Sequence, residues 1–253
     1  MKDYLSKITT NGRAMYLAYD HGFEHGPEDL IGESINPEHI LNIAVKGKYN
    51  AVILQKGLAE KYYTDTEYQK QIPLIVKING KADIWKGGDL YSHQNCSVKY
   101  AKELGASAVG YTIFLGSKYD GEMFTDFGKI VEEAHDLKMA AIAWVYPRGE
   151  FVADDASKEI TAYAARIGLE LGADMVKIKY SGSKENFEYA VKSAGKTKVV
   201  LSGGPKVNEE EFLKVVENVI AAGGIGVAVG RNVWQSENAL EISEKLRQII
   251  FRN

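Results

Sequence analysis

A short apolar run followed by an amphipathic stretch recurs along the whole chain, and this rhythm constrains the fold more than any other feature. The runs, rich in Val, Ile and Ala, are Ala14–Tyr19, Ala51–Leu54, Leu74–Ile78, Ala108–Thr112, Ala140–Val145, Met175–Lys179, Val199–Leu201 and Gly226–Val229. They make eight candidate strands, and their near-continuous hydrophobicity suits parallel strands covered on both faces. Helical patterns lie between them. Asn36 and Pro37 form a cap and first-turn pair for a helix ending near Gly47. Ile160, Tyr163, Ala164, Ile167 and Leu171 hold the spacing of one buried face, closed by Gly172. Phe212, Val215, Val216 and Val219 repeat the pattern after Asn208, and the last helix carries Ala239, Ile242, Leu246, Ile249 and Ile250. Eight strand–helix units in 253 residues have the size and rhythm of an α/β fold of the (β/α)8 TIM-barrel kind. A doubly wound open sheet shows the same alternation, since counting units does not demonstrate closure. No Pro/Ser-rich linker or long charge block interrupts the chain, so residues 1–253 read as one barrel domain.

Composition then excludes whole classes of function. With 34 acidic and 31 basic side chains the net charge is −3, which argues against recruitment by nucleic acid or an anionic membrane through bulk electrostatics. One cysteine, Cys96, leaves no internal disulfide to form and does not call for an oxidising compartment. The segment Met1–Lys7 lacks the apolar stretch of a signal peptide, and no run approaches the roughly 20 apolar residues of a membrane span. The expectation is a cytoplasmic globular protein.

In a barrel, function sits on the residues just after each strand. Here those ends carry Asp20-His21-Gly22, Gln55-Lys56-Gly57, Asn79-Gly80-Lys81, Trp144-Val145-Tyr146-Pro147-Arg148, Lys177-Ile178-Lys179-Tyr180, Ser202-Gly203-Gly204-Pro205 and Gly230-Arg231-Asn232. The sharpest feature is a lysine inside an apolar strand, in Asp174-Met175-Val176-Lys177-Ile178-Lys179. Alternation puts Val176 and Ile178 on one face and Met175, Lys177 and Lys179 on the other. If the apolar pair packs under the helices, the lysines point into the barrel. Their spacing of roughly 6.6 Å would let the two ammonium groups interact. Desolvation and a nearby cation both favour a neutral amine able to attack a carbonyl. The competing reading is that both lysines snorkel out of the strand end into water. Lys77, in Ile75-Val76-Lys77-Ile78, is a second intrastrand lysine and competes for the same role.

Three further groups carry chemistry. Ser202-Gly203-Gly204-Pro205 lets backbone approach a ligand closely, and Gly230-Arg231 adds a guanidinium. The ends of the last two strands are where many barrels hold a phosphate. Trp144 and Tyr146 share one face of the fifth strand, and a tyrosine beside Arg148 is a candidate proton donor or acceptor; a buried aromatic with a satisfied hydroxyl is the plainer alternative. His21, Glu24 and His25 match an H-x-x-E-H zinc pattern, which requires a helix to put both imidazoles on one face. A strand runs into Asp20 and Gly26-Pro27 follows at once, so no helix of useful length fits and no metal site is expected.

Six phrases together carry a family resemblance: Leu17–Gly22, Ala108–Thr112, Trp144–Gly149, Val176–Tyr180, Leu201–Lys206 and Ala228–Gln235. In that order, from about Gly12 to Gln235, the chain resembles the archaeal-type class I fructose-1,6-bisphosphate aldolases. The resemblance implies a (β/α)8 barrel, sugar-phosphate substrates, Schiff-base chemistry without metal or other cofactor, and assembly into large ring-like homo-oligomers. Lys177 matches the family's Schiff-base lysine, Tyr146 its proton donor and acceptor, and Asp20 the acid that orients the lysine and assists proton transfer. Gly203, Gly204, Gly230 and Arg231 match the substrate-phosphate site, and His21, His25, Trp144 and Arg148 match pocket-lining positions. The implied activity is a lyase of glycolysis or gluconeogenesis. A related synthase, which condenses a deoxy-ketohexose phosphate with aspartate semialdehyde for an aromatic pathway, shares several of these motifs. The intact Trp144–Gly149 and Gly230–Gln235 phrases favour the aldolase. A phosphate-binding barrel without turnover is the reading from another class, and it would not need Lys177, Tyr146 and Asp20 together.

Overall fold

The computed structural model describes residues 3–82 and 89–252. Residues 1–2, 83–88 and 253 of the single-domain expectation lie outside the described residues. The strands are Ala14–Tyr19, Ala51–Gln55, Leu74–Lys77, Ala106–Leu115, Ala140–Pro147, Met175–Ile178, Lys198–Ser202 and Gly226–Val229. Each pairs in parallel with the next, and the first pairs with the last along Ala14–Leu17 and Gly226–Val229. That pairing closes the sheet and decides between a barrel and an open sheet. The fold is a single-domain (β/α)8 barrel.

Strand alternation divides the apolar residues into two separate clusters. Val52, Leu54, Val76, Val109, Val176, Ile178, Val199, Leu201, Val227 and Val229 face outward and pack with the helices. Tyr16, Ala18, Ile53, Ile75, Ile142, Trp144, Met175 and Val200 fill the interior. The expectation for Val176, Ile178 and Met175 holds. From the N-terminal side Tyr4, Leu5 and Ile8 pack against the interior cluster, leaving the opposite mouth as the working face.

The helices start where side-chain oxygens take up free backbone N–H groups. Asn36 caps Pro37–Lys46, Ser157 caps Lys158–Glu170, Ser183 caps Lys184–Ser193 and Asn208 caps Glu209–Ala221. Gly172 closes its helix as expected, at φ 83°, and Gly105 does the same after Val98–Glu103, at φ 87°. One face differs from expectation. Tyr163 is exposed, and beside the expected Ala164 the helix Lys158–Glu170 buries Thr161, Ala162, Ala165 and Gly168. The helix lies so close to the sheet that a Cβ on Gly168 would sit 1.9 Å from the Val176 side chain. Small residues therefore win the contact face over larger apolar ones.

Strand limits shift at functionally important points. The third strand stops at Lys77 and the sixth at Ile178, so Lys179 is not a strand residue. After the third strand a two-residue segment, Asn79–Gly80, pairs antiparallel with His93–Gln94. No helix among the described residues is long and apolar enough to cross a membrane.

Inside the barrel Gly110 makes room for Trp144, because a Cβ there would lie 1.5 Å from the indole ring. Gly110→Ala should therefore cost about 1–3 kcal/mol through overpacking and displace the indole. Urea unfolding followed by tryptophan fluorescence measures both, and an unchanged midpoint with an unchanged native spectrum would show the space is not tight.

Candidate active site

The twelve residues nominated from sequence all line one cavity of about 450 Å³ at the C-terminal mouth of the strands. Asp20 follows the first strand, Trp144 and Tyr146 share the inward face of the fifth, and Lys177 points inward from the sixth. Ser202 ends the seventh strand, Gly203 and Gly204 follow it, and Gly230 and Arg231 follow the eighth. Arg148 leaves the fifth strand with its guanidinium 5.4 Å from the Phe114 ring and 5.8 Å from that of Tyr146.

The structure separates the three candidate lysines. Lys77 has no solvent exposure, does not line the cavity, is ion-paired to Glu24, and lies 3.9 Å from Asp20. Lys179 turns to Asp155, to which it is ion-paired. Lys177 is 6% exposed, lines the cavity, and has no hydrogen bond or ion pair among the described residues. Its Nζ stands 5.2 Å from the centre of the Trp144 ring, and that of Lys77 stands 6.0 Å from the same ring. Lys179 lines the same cavity, but the strand ends one residue before it and its ammonium is committed to Asp155. Neither lysine snorkels into free solvent.

Burial pushes the Lys177 pKa below the ordinary lysine value, against the attraction of Asp20 and Glu24. For Asp20 burial acts upward, but the positive charges of Lys177 and Lys77 outweigh it and hold the carboxyl low. Burial pushes His21 down to about 4, so its ring is neutral at neutral pH. Burial raises Tyr146 well above an ordinary phenol, opposed by its Ser202 hydrogen bond of 3.3 Å. A cation-stabilised phenolate is therefore not its resting form. Tyr146 rests as a phenol, with a proton to donate.

At the opposite wall Arg231 contacts the Asp29 carboxylate at 3.3 Å and the Gly204 carbonyl at 3.2 Å, while its Nε is buried without a partner. His25 pairs with the other Asp29 oxygen at 2.6 Å. Asn232 donates to the carbonyls of Gly203 and Pro205, pinning the glycine turn. Asp29 was not visible in the sequence because it ends a short 3-10 turn, Pro27–Asp29, that carries no apolar periodicity, although its i+4 spacing from His25 was a signal. Glu24 entered the sequence reading only as a metal-ligand candidate. A second inward lysine, which demands a buried counter-charge, was the signal for its other role.

The segment after Asp20 also differs from expectation, because His21–His25 forms one helical turn that ends at Gly26. The turn does not gather the zinc pattern. Glu24 is turned to Lys77, His25 to Asp29, and the two imidazoles meet edge-on at 5.2 Å. Among the described residues no three His, Cys, Asp or Glu side chains converge to hold a metal ion.

A closed parallel barrel carrying an unpaired buried lysine, a phenol and a carboxylate is a setting for covalent carbonyl chemistry. A family model described as DeoC/LacD family aldolase matches residues 14–236. The chain belongs to this aldolase family. Fructose-bisphosphate aldolase class 1 of Thermoproteus tenax is 47% identical over 251 residues, spanning 98% of this chain and 93% of the relative. The protein of the same name from Halobacterium salinarum is 41% identical over 248 residues, spanning 97% and 93%. A solved structure of an archaeal fructose-1,6-bisphosphate aldolase has its catalytic Lys covalently bound to the carbinolamine intermediate of the substrate. It matches this member of the family with a TM-score of 0.93 at 46% identity, covering 98% of each chain.

The lowered Lys177 pKa has a measurable consequence in this aldolase-family site. An amine-acylating reagent, followed by peptide mass mapping across pH, should modify Lys177 with a midpoint below the ordinary 10.5. Exposed lysines serve as internal controls, and a Lys177 midpoint at or above theirs would contradict the burial argument.

Proposed function

We propose that this chain is a Schiff-base-forming class I aldolase that reversibly cleaves fructose 1,6-bisphosphate to dihydroxyacetone phosphate and glyceraldehyde 3-phosphate. The observation that carries the reading is Lys177, a buried, cavity-lining amine that alone among the three candidate lysines has no ion partner. The Lys177 amine adds to the substrate ketone, and the carbinolamine loses water to give an iminium. The carbon–carbon bond then breaks with its electron pair flowing toward the iminium nitrogen, while the neighbouring hydroxyl loses its proton. Tyr146 is placed to move that proton, and Asp20 to serve the proton transfers around the imine. His21, His25, Trp144 and Arg148 shape the sugar pocket. Ser202, Gly203, Gly204, Gly230 and Arg231 form the phosphate site, and no cofactor is required.

The non-catalytic barrel does not account for an uncompensated amine beside a phenol and a carboxylate. The aromatic-pathway synthase would share the Lys177 chemistry, and a substrate panel of fructose 1,6-bisphosphate against deoxy-ketohexose phosphate separates the two. Cytoplasmic location is part of the proposal, supported by a single cysteine that is buried and free. So is a large homo-oligomer, for which exposed Ile31, Ile35 and Leu240 offer apolar contact surface.

Borohydride with dihydroxyacetone phosphate should inactivate the enzyme and label the Lys177 peptide alone. Lys177→Arg should abolish labelling, because guanidinium stays protonated. Tyr146→Phe should keep the label yet lose about 100-fold or more in turnover. Label on the Lys77 or Lys179 peptide, or label persisting in Lys177→Arg, would refute the nucleophile assignment.

Arg231→Ala removes charge-assisted contacts, each about 1.5–3 kcal/mol, so KM for phosphorylated substrate should rise about 10- to 100-fold. An equal loss with an unphosphorylated ketose would make Arg231 a purely structural residue.

A further inference from the structure

We propose that Lys77, held by Glu24, is a positioning residue that keeps Asp20 ionised and in place while the Lys177 nitrogen is uncharged. The proposal rests on the reading of Lys177 as the imine-forming lysine. Lys77 cannot itself reach substrate, because it is fully buried and does not line the cavity. A buried ammonium is costly unless paired, and here its partners are the carboxylates of Glu24 and, at 3.9 Å, Asp20. Both of those carboxylates line the cavity. Lys77 therefore delivers a fixed positive charge to the reactive chamber from behind, without occupying any of it.

Charge counting shows what this does. With all groups ionised, Asp20 and Glu24 are balanced by Lys77 and Lys177. Lys177 is a neutral amine before attack, and its nitrogen is neutral again in the carbinolamine and in the enamine that bond cleavage leaves. At each of these stages two partly buried carboxylates face one cation. Without Lys77 they would face none, and one of them would take up a proton. Asp20 would then be unable to accept the protons that the imine steps release. The other groups facing Asp20 do not substitute. His21 on its own helix is neutral at neutral pH, Tyr146 on the fifth strand rests as a phenol, and Arg231 is committed to Asp29. His25 is likewise committed to Asp29.

The readout is the pH profile of kcat on fructose 1,6-bisphosphate, which reports groups in the bound complex, after Lys177 has reacted. In Lys77→Met the acid limb should move up by about one pH unit, the effect of losing an opposite charge within ~4–6 Å. Lys77→Arg retains the charge and should leave the limb near its wild-type position, whatever its effect on the maximum. Glu24→Gln tests the same idea with the opposite sign, since it frees Lys77 to turn wholly to Asp20. Its acid limb should move down, which keeps the proposal testable if Lys77→Met does not fold. Borohydride labelling of Lys177 is measured alongside. Absence of label in the wild-type enzyme would defeat the Schiff-base reading itself. With label present, an acid limb that stays in place in Glu24→Gln, or in a folded Lys77→Met, would overturn the role of Lys77.

Discussion

Everything at the mouth of this barrel depends on placing ionised groups where water is scarce. Lys77 and Lys177 project from the third and sixth strands into an interior otherwise filled by residues such as Ile75, Ile142, Met175 and Val200. Such charges persist only if they compensate one another or give up their protons. The third-strand lysine takes the first course, through Glu24 and Asp20. The sixth-strand lysine has no partner within ion-pair distance, and burial moves its pKa toward the second course. Two chemically identical side chains thus acquire opposite characters from their neighbours, one a fixed cation and the other a poised amine.

Backbone closure makes that contrast durable. Lys177 is in register with Trp144 on one side and Val200 on the other, and Lys77 with Gly110 and Gln55. Trp144 contacts both ammonium groups across its ring, and Gly110 supplies the space for the indole. A one-residue slip in any strand would turn its inward set outward, so barrel closure and site geometry are specified together. The outer valines that bind strands to helices are the same parity signal that sends the lysines inward.

Much of this was legible in the chain. The eight strands fall within a few residues of the apolar runs, because doubly buried strands write their burial directly into composition. Closure was not legible, since it depends on pairing between Ala14–Leu17 and Gly226–Val229, residues more than two hundred positions apart. Parity sent Lys177 inward but sent Lys77 inward equally, and nothing local distinguishes them. The distinction lies in Glu24, which arrives on the single helical turn His21–His25 between the strand and Gly26-Pro27. Tyr163 misled for a different reason: hydrophobic periodicity ranks a tyrosine above glycine, whereas close packing on Val176 ranks them in reverse. Asp29 lies in a segment with no periodicity to read, and its role emerges only when His25 and Arg231 meet on its two oxygens.

That meeting bears on how the proposed substrate is measured. Arg231 is held by Asp29 and the Gly204 carbonyl before any ligand arrives, and Asn232 pins the turn that carries Gly203. A guanidinium already held in place loses little side-chain freedom on binding an anion, so more of the contact energy remains for affinity. The proposed phosphate site stands on the last two strands and the proposed nucleophile on the sixth, joined by continuous hydrogen-bonded pairing. Ser202 ends the seventh strand and Lys177 lies within the sixth, so the sheet holds the proposed nucleophile beside the turn that carries Gly203. In the proposed function a phosphate seated at that turn converts binding energy gained away from the reacting carbon into orientation at it.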